Sequence, residues 1–313
     1  MRILVTGGAG FIGANLCRAL ITRPEIESIT VLDDLSTGDR RNIEDVGVEL
    51  VTGSILDREL LADLVARATA VVHLAARPSV PRSLADPLAS HTANATGTLH
   101  VLEACRVTRP HLVLASSSSV YGNCTEPYKH EDLPTRPLSP YAASKLATEA
   151  YAMAYASSFG LRVLPFRFFN VYGPMQSAGH AYAAVIPAFV SAALAGEPVP
   201  IHGDGTQARD FTFVGTVAQV LTEAVVRGVA SGTPVNLAYG TRTSLLSLKD
   251  ALAAVLGRPV EATFLPPRAG DIHVSQASSR LLLELFPGVR PVPMSEGLRQ
   301  TVEWFEKTSG AVS

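Results

Sequence analysis

Residues 3–16 read "ILVTGGAGFIGANL". An apolar run of strand type ends in Gly7, Gly10 and Gly13, and a segment of helical period follows from Ile12. Glycines at such a turn let the backbone bend tightly and approach a pyrophosphate, whose charge then faces the leading amides of the helix. The spacing is GxxGxxG, not GxGxxG, and a plain strand-to-helix turn can also carry three glycines. A second feature adds to it. Asp33 and Asp34 close the next strand-like run, "SITVLD" (28–33), about twenty residues on. A carboxylate there accepts hydrogen bonds from an adenosine ribose and repels a 2′-phosphate, so the pair points to NAD rather than NADP. The alternative for the aspartates is the start of a turn into "LSTG".

Outward from this stretch, β-branched runs recur: "VELV" (48–51), "AVVHLA" (70–75), "HLVLAS" (111–116) and "LRVLPFR" (161–167). Between them lie segments of helical spacing, such as Ile12 to Arg23 and Asn94 to Val107. The alternation predicts an α/β fold, a Rossmann-type doubly wound parallel sheet covered by helices on both faces. After about residue 168 Pro and Gly become frequent ("NVYGPMQSAGH", "GEPVPIHGDG", "FLPPRAGD"), with helices expected over Tyr182 to Ala195 and Leu246 to Leu256. We expect residues 1–167 to form a nucleotide-binding domain and 168–313 mainly a smaller C-terminal α/β substrate-binding lobe. Residues 213–240 are expected to return to the main sheet through the strand-like "PVNLAY" (234–239). No repeat of solenoid period is present.

The 313 residues are 47% hydrophobic and 17% charged with a net charge of −2, which supplies a core and argues against disorder. No basic field for nucleic acid and no acidic tail exists. Cys17, Cys105 and Cys124 lack CxxC spacing and are too few for a disulfide framework, so a reduced compartment is expected and a structural metal is not. "MRILVTGG" enters without a secretory apolar region, and no apolar run reaches the length of a membrane span. The expectation is a cytoplasmic protein with no membrane partner.

"LSPYAASKLATEAYAMAY" (138–155) has Ser139 as N-cap and Pro140 at the first helical position. Tyr141 and Lys145, four apart, share a helical face. Taken alone, YxxxK reads as an exposed amphipathic pair. Read chemically, it is a phenol whose pKa an adjacent ammonium lowers, so that it accepts a proton near neutral pH.

"TGGAGFIG", "VLDDLSTG", "HLAA", "SSSSVYG", "YAASK", "RFFNVYGP", "YAAVIP", "GDGTQARDF" and "PPRAGD" occur in that order between residue 3 and about residue 278. As a set they resemble the extended short-chain dehydrogenase/reductase superfamily, closest to its NAD-dependent nucleotide-sugar 4-epimerases. The resemblance implies a catalytic hydroxyl at Ser117, Tyr141 as base, and Lys145 tuning the phenol while holding the nicotinamide ribose. Tyr141 would take the 4-hydroxyl proton as hydride leaves C4, and the 4-keto sugar would turn over and take the hydride back. For NAD it implies contacts at Gly7, Gly10, Phe11, Ile12, Gly13, Asp33, Asp34, Ser36, Thr37, Gly38, Ser54, Ile55, Leu74, Ala75, Ala76, Asn94, Tyr141 and Lys145. It also implies a homodimer built on two helices, with which the alanine-rich stretch from Ala142 to Ala156 is consistent.

For the substrate the resemblance implies Ser118, Asn170, Val185, His202, Arg209, Arg268, Asp271 and Ser275. Asn170, Arg209 and Arg268 would bind the diphosphate region, Asp271 the nucleoside ribose, and His202 would stack on the base. Two guanidiniums on one diphosphate make physical sense, since each bonds phosphate oxygens bidentately. Ser275 stands at the family's gatekeeping position, where a small residue leaves room for an N-acetyl group. Several positions depart from the family pattern: Ser54 replaces an aspartate near the adenine, Gly215-Thr216 an Asp-Asp pair, and Ser278 a late aspartate, while no arginine follows "YGP". Sugar-nucleotide 4,6-dehydratases carry an Asp-Glu pair where this chain has Ser118 and Ser119, and a hydroxyl is too weak an acid to replace a carboxylic acid there. Dehydratase, 4-ketosugar reductase (UDP- or TDP-linked) and UDP-glucuronate 4-epimerase are the rival reactions. A non-catalytic NAD-binding regulator is the rival class, with no need for an activated phenol.

Overall fold

The structure, a computed structural model, describes residues 1–177, 184–267 and 274–309. Its first half alternates as the sequence leads one to expect: β1 (Arg2–Thr6), α1 (Phe11–Ile21), β2 (Ser28–Asp33), β3 (Glu49–Thr52), α2 (Arg58–Arg67) and β4 (Ala70–His73). Two short helices, α3 (Val80–Ala85) and α4 (Pro87–His91), lead through a π-helical turn (Thr92–Thr96) into α5 (Gly97–Thr108). Then come β5 (His111–Ser117), a 3-10 turn (Ser118–Tyr121), β6 (Tyr128–Lys129), α6 (Pro140–Phe159) and β7 (Val163–Phe168). The remainder runs β8 (Asn170–Tyr172), α7 (Val185–Leu194), β9 (Val199–His202), β10 (Ala208–Arg209), β11 (Phe211–Phe213), α8 (Val214–Arg227) and β12 (Val235–Leu237). It ends with β13 (Thr243–Ser244), α9 (Leu245–Leu256), β14 (Ala262–Leu265), β15 (Val274–Ala277), α10 (Arg280–Leu285) and α11 (Met294–Ser309).

Seven strands form one parallel sheet in the order β12-β7-β5-β4-β1-β2-β3. Helices on both faces explain why these strands are apolar throughout instead of alternating with polar residues. Ile3 and Val5 of β1, Val72 of β4 and Val113 of β5 join the layer beneath α1 and α8. Leu4, Val71, Leu112 and Leu114 point the other way, into the layer with Leu61 and Leu64 of α2 and Val101 and Leu102 of α5. A one-residue slip in any of these strands would exchange the layers. The strand at 235–237 pairs with β7 at the sheet edge, and α8 packs against α1.

The strand order reverses between β1 and β4, and the crevice outside the carboxyl ends of strands at such a point is where ligands bind in this architecture. A second core joins α7, β9, β11, α9 and α11 through Phe189, Ile201, Phe211, Phe213, Leu248 and Leu298. Short ladders (β8 with β11, β9 with β14, and β10 between β13 and β15) tie this part together. The helix expected from Tyr182 begins at Val185, with residues 182 and 183 outside the described set. The helix expected from Asn94 is α-helical only from Gly97, because Asn94 sits in the π turn.

Candidate active site

An open cleft of about 2180 Å³ lies over the carboxyl ends of β1, β2, β4 and β5. Its nucleotide end is shaped by missing side chains. Gly7 adopts φ +73°, and a Cβ there would lie 2.6 Å from the Ala75 amide nitrogen, so the loops after β1 and β4 touch only because Gly7 has none. A Cβ on Gly13 would lie 2.3 Å from the Gly7 carbonyl oxygen. Gly10 is the N-cap of α1 and offers no capping side chain, which leaves the first amides of the helix for an anion.

Asp33 and Asp34 both line this end, with different duties. Asp33 accepts the Ala9 amide at 2.9 Å and the Leu35 amide at 2.9 Å, one on each oxygen, and so holds the glycine loop against β2. Each carboxylate oxygen keeps a second lone pair, which two vicinal ribose hydroxyls could use. Burial raises the Asp33 pKa above the usual carboxylate value, opposed by these two amides. Asp34 accepts the Ser36 amide and hydroxyl, the latter at 2.6 Å.

At the other end Ser117, Tyr141 and Lys145 come together. Ser139 caps α6 by accepting the Ala142 amide at 3.1 Å, and Pro140 opens the helix, which sets the Tyr-Lys face toward β5. Lys145 is buried and its ammonium donates to the Ala115 carbonyl at 2.9 Å. Burial lowers its pKa to about 8. The Tyr141 phenol differs from the sequence expectation of a value depressed by Lys145: burial raises it, and the opposing contact is the Ser117 hydroxyl. The physical reason is enclosure: taking the phenol out of water outweighs the one hydrogen bond that opposes it.

One turn further along α6, Glu149 forms a buried fork with Arg167 of β7, at 2.9 Å from both Nε and Nη2. Ser116 donates to the other Glu149 oxygen at 2.9 Å, and Arg167 reaches the Tyr121 hydroxyl at 2.9 Å. Sequence reading missed this network, for which the i, i+4, i+8 row Tyr141, Lys145, Glu149 was the available signal. It also missed Arg77, Ser79, Arg82, Gln176 and Trp304, which line the cleft. Ser79 is held at φ +95° as the N-cap of α3, which no propensity announces.

Every residue expected to contact NAD lines the cleft except Asn94. Asn94 is buried with its amide spent internally: its oxygen accepts the Arg77 amide at 2.7 Å and its nitrogen donates to the Ser144 hydroxyl at 2.9 Å. It shapes the cleft wall from behind. Of the expected substrate residues beyond the Ser-Tyr pair, Ser118, Asn170, Val185, His202, Arg209 and Ser275 are not among the lining residues. Asn170 donates to the Asp210 carbonyl at 3.2 Å, and His202 bonds the Pro266 carbonyl at 3.0 Å. Arg209 and Ser275 sit opposite each other in the β10–β15 ladder. Arg268 and Asp271 lie outside the described residues. No cluster of metal ligands occurs among the described residues, and no described helix is long and apolar enough to cross a membrane.

The sequence model of the NAD dependent epimerase/dehydratase family matches residues 3–238. The UDP-glucose 4-epimerase of Mycolicibacterium smegmatis is 37% identical, over 99% of this chain and 100% of its own length. The structure of UDP-N-acetylglucosamine 4-epimerase from Methanobrevibacter ruminantium, in complex with UDP-N-acetylmuramic acid, superposes with a TM-score of 0.92 at 34% identity, covering 98% of each chain. That of Thermus thermophilus UDP-glucose 4-epimerase in complex with NAD gives 0.88 at 38% identity, covering 98% of this chain and 99% of that one. A dTDP-glucose 4,6-dehydratase of M. smegmatis matches at 33% over 97% of this chain and 93% of its own, so identity by itself does not separate the reactions.

Proposed function

This chain belongs to the NAD dependent epimerase/dehydratase family, and from that premise we propose that it is an NAD-dependent UDP-hexose 4-epimerase. It interconverts UDP-glucose and UDP-galactose, and their N-acetyl forms, through a 4-keto sugar. The observation that carries this reading is the meeting of Ser117, Tyr141 and Lys145 at one end of a glycine-walled cleft, with hydroxyls at 118 and 119 where elimination needs carboxyl groups. The cleft suits the dinucleotide: its pyrophosphate against Gly7, Gly10 and Gly13 at the start of α1, its ribose at Asp33. NAD supplies reversible hydride exchange at the sugar C4.

The chain's own work is proton handling. Tyr141 Oη takes the proton of the sugar 4-hydroxyl as the 4-keto sugar forms and returns it to O4 when the keto carbon is reduced on its other face, so the sugar's net oxidation state is unchanged. Ser117 donates its single hydrogen bond to the phenol oxygen, where charge develops, and the Lys145 ammonium lowers the cost of that charge. In this reading residues 1–167 with the returning 213–240 hold the dinucleotide, and most of 168–313 holds the nucleoside diphosphate end. There Arg209 and Ser275 face one sugar nucleotide, Ser275 leaving space for an N-acetyl group.

We also infer a cytoplasmic homodimer. Its support is a set of exposed apolar side chains, Leu84, Leu88, Val107, Tyr151 and Phe159, on the helices of one sheet face, and thiols that are free at Cys17, Cys105 and Cys124. To test the reaction, purified protein is incubated with UDP-glucose, UDP-N-acetylglucosamine, UDP-glucuronate and dTDP-glucose and the products are resolved by NMR. The C4 epimer of a UDP-hexose is expected. A 4-keto-6-deoxy product, or turnover of the uronate alone, overturns the assignment.

A further inference from the structure

The run "ASSSSVYG" (115–122) contains a serine whose position exceeds the role of a missing carboxylate. Ser119 makes two bonds to Ser117: its amide donates to Ser117 Oγ at 3.2 Å and its hydroxyl donates to the same oxygen at 2.9 Å. A serine hydroxyl has one proton and two acceptor lone pairs. With both lone pairs occupied from one side, Ser117 is left as a donor, and the Tyr141 phenol, whose hydrogen bond with Ser117 opposes the effect of its burial, is placed to receive that hydrogen bond.

The turn that sets this geometry is held on all sides. Ser117 is the N-cap of the 3-10 turn, Val120 and Tyr121 are buried, and Tyr121 Oη donates to Asn236 at 2.7 Å. Gly122, at φ +56°, ends the turn so close to Arg136 that a Cβ would overlap its carbonyl, while the Arg136 amide donates to Val120 at 2.9 Å. Ser119 therefore has little freedom to release Ser117.

We propose that Ser119 is a positioning residue for proton transfer: its hydroxyl fixes Ser117 as a hydrogen-bond donor toward the Tyr141 oxygen. Donation into Ser117 also strengthens the bond that Ser117 makes, since hydroxyl chains polarise one another. Both effects favour the ionised phenol. The inference rests on the Ser-Tyr-Lys reading above, and the amide bond alone would suffice if the hydroxyl were ornamental.

Ser119→Ala keeps the amide and removes the hydroxyl; Ser119→Thr keeps both. Losing one net hydrogen bond of about 1 kcal/mol predicts that Ser119→Ala lowers kcat with UDP-glucose about 5-fold and leaves KM unchanged. It also moves the acid limb of the kcat profile to higher pH. Independently of any sugar, the NAD-loaded protein is titrated by phenolate absorbance near 295 nm, with Tyr141→Phe as the subtraction. Ser119→Ala must move the Tyr141 midpoint up, and Ser119→Thr must restore it. An unmoved midpoint in Ser119→Ala, or a Thr variant as displaced as the Ala variant, overturns the proposal. A protein that turns over no nucleotide sugar overturns the epimerase reading and leaves the phenol titration to decide Ser119.

Discussion

Arg167→Met should be among the most destabilising single changes in the chain that create no cavity. The guanidinium and the Glu149 carboxylate are 6% and 2% exposed, and the fork between them is 2.9 Å on both arms. Removing one partner strands the other's charge away from water, which costs about 3–5 kcal/mol. At roughly 2.1 cal/mol/K per residue of unfolding entropy, 313 residues give about 0.66 kcal/mol/K, so Tm should fall by about 5–8 °C. At Glu149 burial raises the carboxyl pKa in spite of Arg167, whereas at Arg167 the attractions to Glu149 and Tyr121 together outweigh burial, so the pair as a whole gains little over an apolar replacement. Glu149→Leu combined with Arg167→Met should thus recover at least half of the loss. Full recovery is not expected, because Arg167 also bonds the Tyr121 hydroxyl and the Glu131 carbonyl, and Ser116 loses its carboxylate. Each orphaned group retains about 1–3 kcal/mol of cost unless its other partner suffices. The assay is calorimetric unfolding of the four proteins in a double-mutant cycle. A Tm drop below about 2 °C for Arg167→Met, or a double variant as unstable as the sum of the singles, would refute the reasoning.

Tyr141→Phe should lower kcat by at least about 100-fold while weakening NAD binding far less, since it deletes the proton acceptor and leaves the glycine wall and Asp33 untouched; comparable turnover by NMR would sink that role. Gly13→Ala pushes a Cβ to 2.3 Å from the Gly7 carbonyl. A misfit of about 1–3 kcal/mol predicts roughly 5- to 150-fold weaker NAD binding in titration calorimetry. His73 is held near pKa 3 by burial, with Lys145 adding to the depression, against an ordinary 6.5. The unfolded chain therefore binds the extra proton first, and stability falls as pH drops from 6.5 toward 3, by about 1.4 kcal/mol per unit from this site. His73→Gln should remove that much of the slope in urea unfolding at pH 6 and pH 5; an unchanged slope contradicts the assignment.

The sheet was readable because parallel strands covered on both faces must be apolar at every position, and β1, β2, β4 and β5 stand out as such runs. The π turn was not, because an extra residue in a helix leaves no mark on apolar period. Asn94 is expected at the dinucleotide, and what spacing does not reveal is that its amide braces Arg77 and Ser144 behind the cleft wall. Spacing put Tyr141 and Lys145 on one face, and the structure keeps them there, but spacing says nothing of acceptors. The Ala115 carbonyl that accepts the Lys145 hydrogen bond is 30 residues away in sequence. Ser119 was legible only as an absence of acid, since its hydroxyl bond to Ser117 depends on the 3-10 turn.

These details bear on why the phenol can ionise at all in a site whose burial opposes it. Nδ1 of His73 lies 2.7 Å from the Thr6 hydroxyl and Nε2 lies 3.0 Å from that of Thr98. Thr98 gives its own proton to the Asn94 carbonyl, so it accepts from Nε2–H, and Nδ1 accepts from Thr6. The imidazole is thus a neutral ring with both nitrogens satisfied, and it adds no charge beside Lys145. Glu149 and Arg167 cancel one another. Among the described residues no carboxylate pairs with Lys145, whose only bond is to a carbonyl. The buried floor beneath Tyr141 therefore carries one unbalanced positive charge, and the group able to balance it is an oxyanion at the phenol or at the sugar O4. Lys145→Met should consequently raise the Tyr141 titration midpoint further than Ser119→Ala does, because it removes a full charge where the serine removes one hydrogen bond. If the two variants shift it equally in the phenolate titration, the unbalanced ammonium is not what favours the ionised phenol.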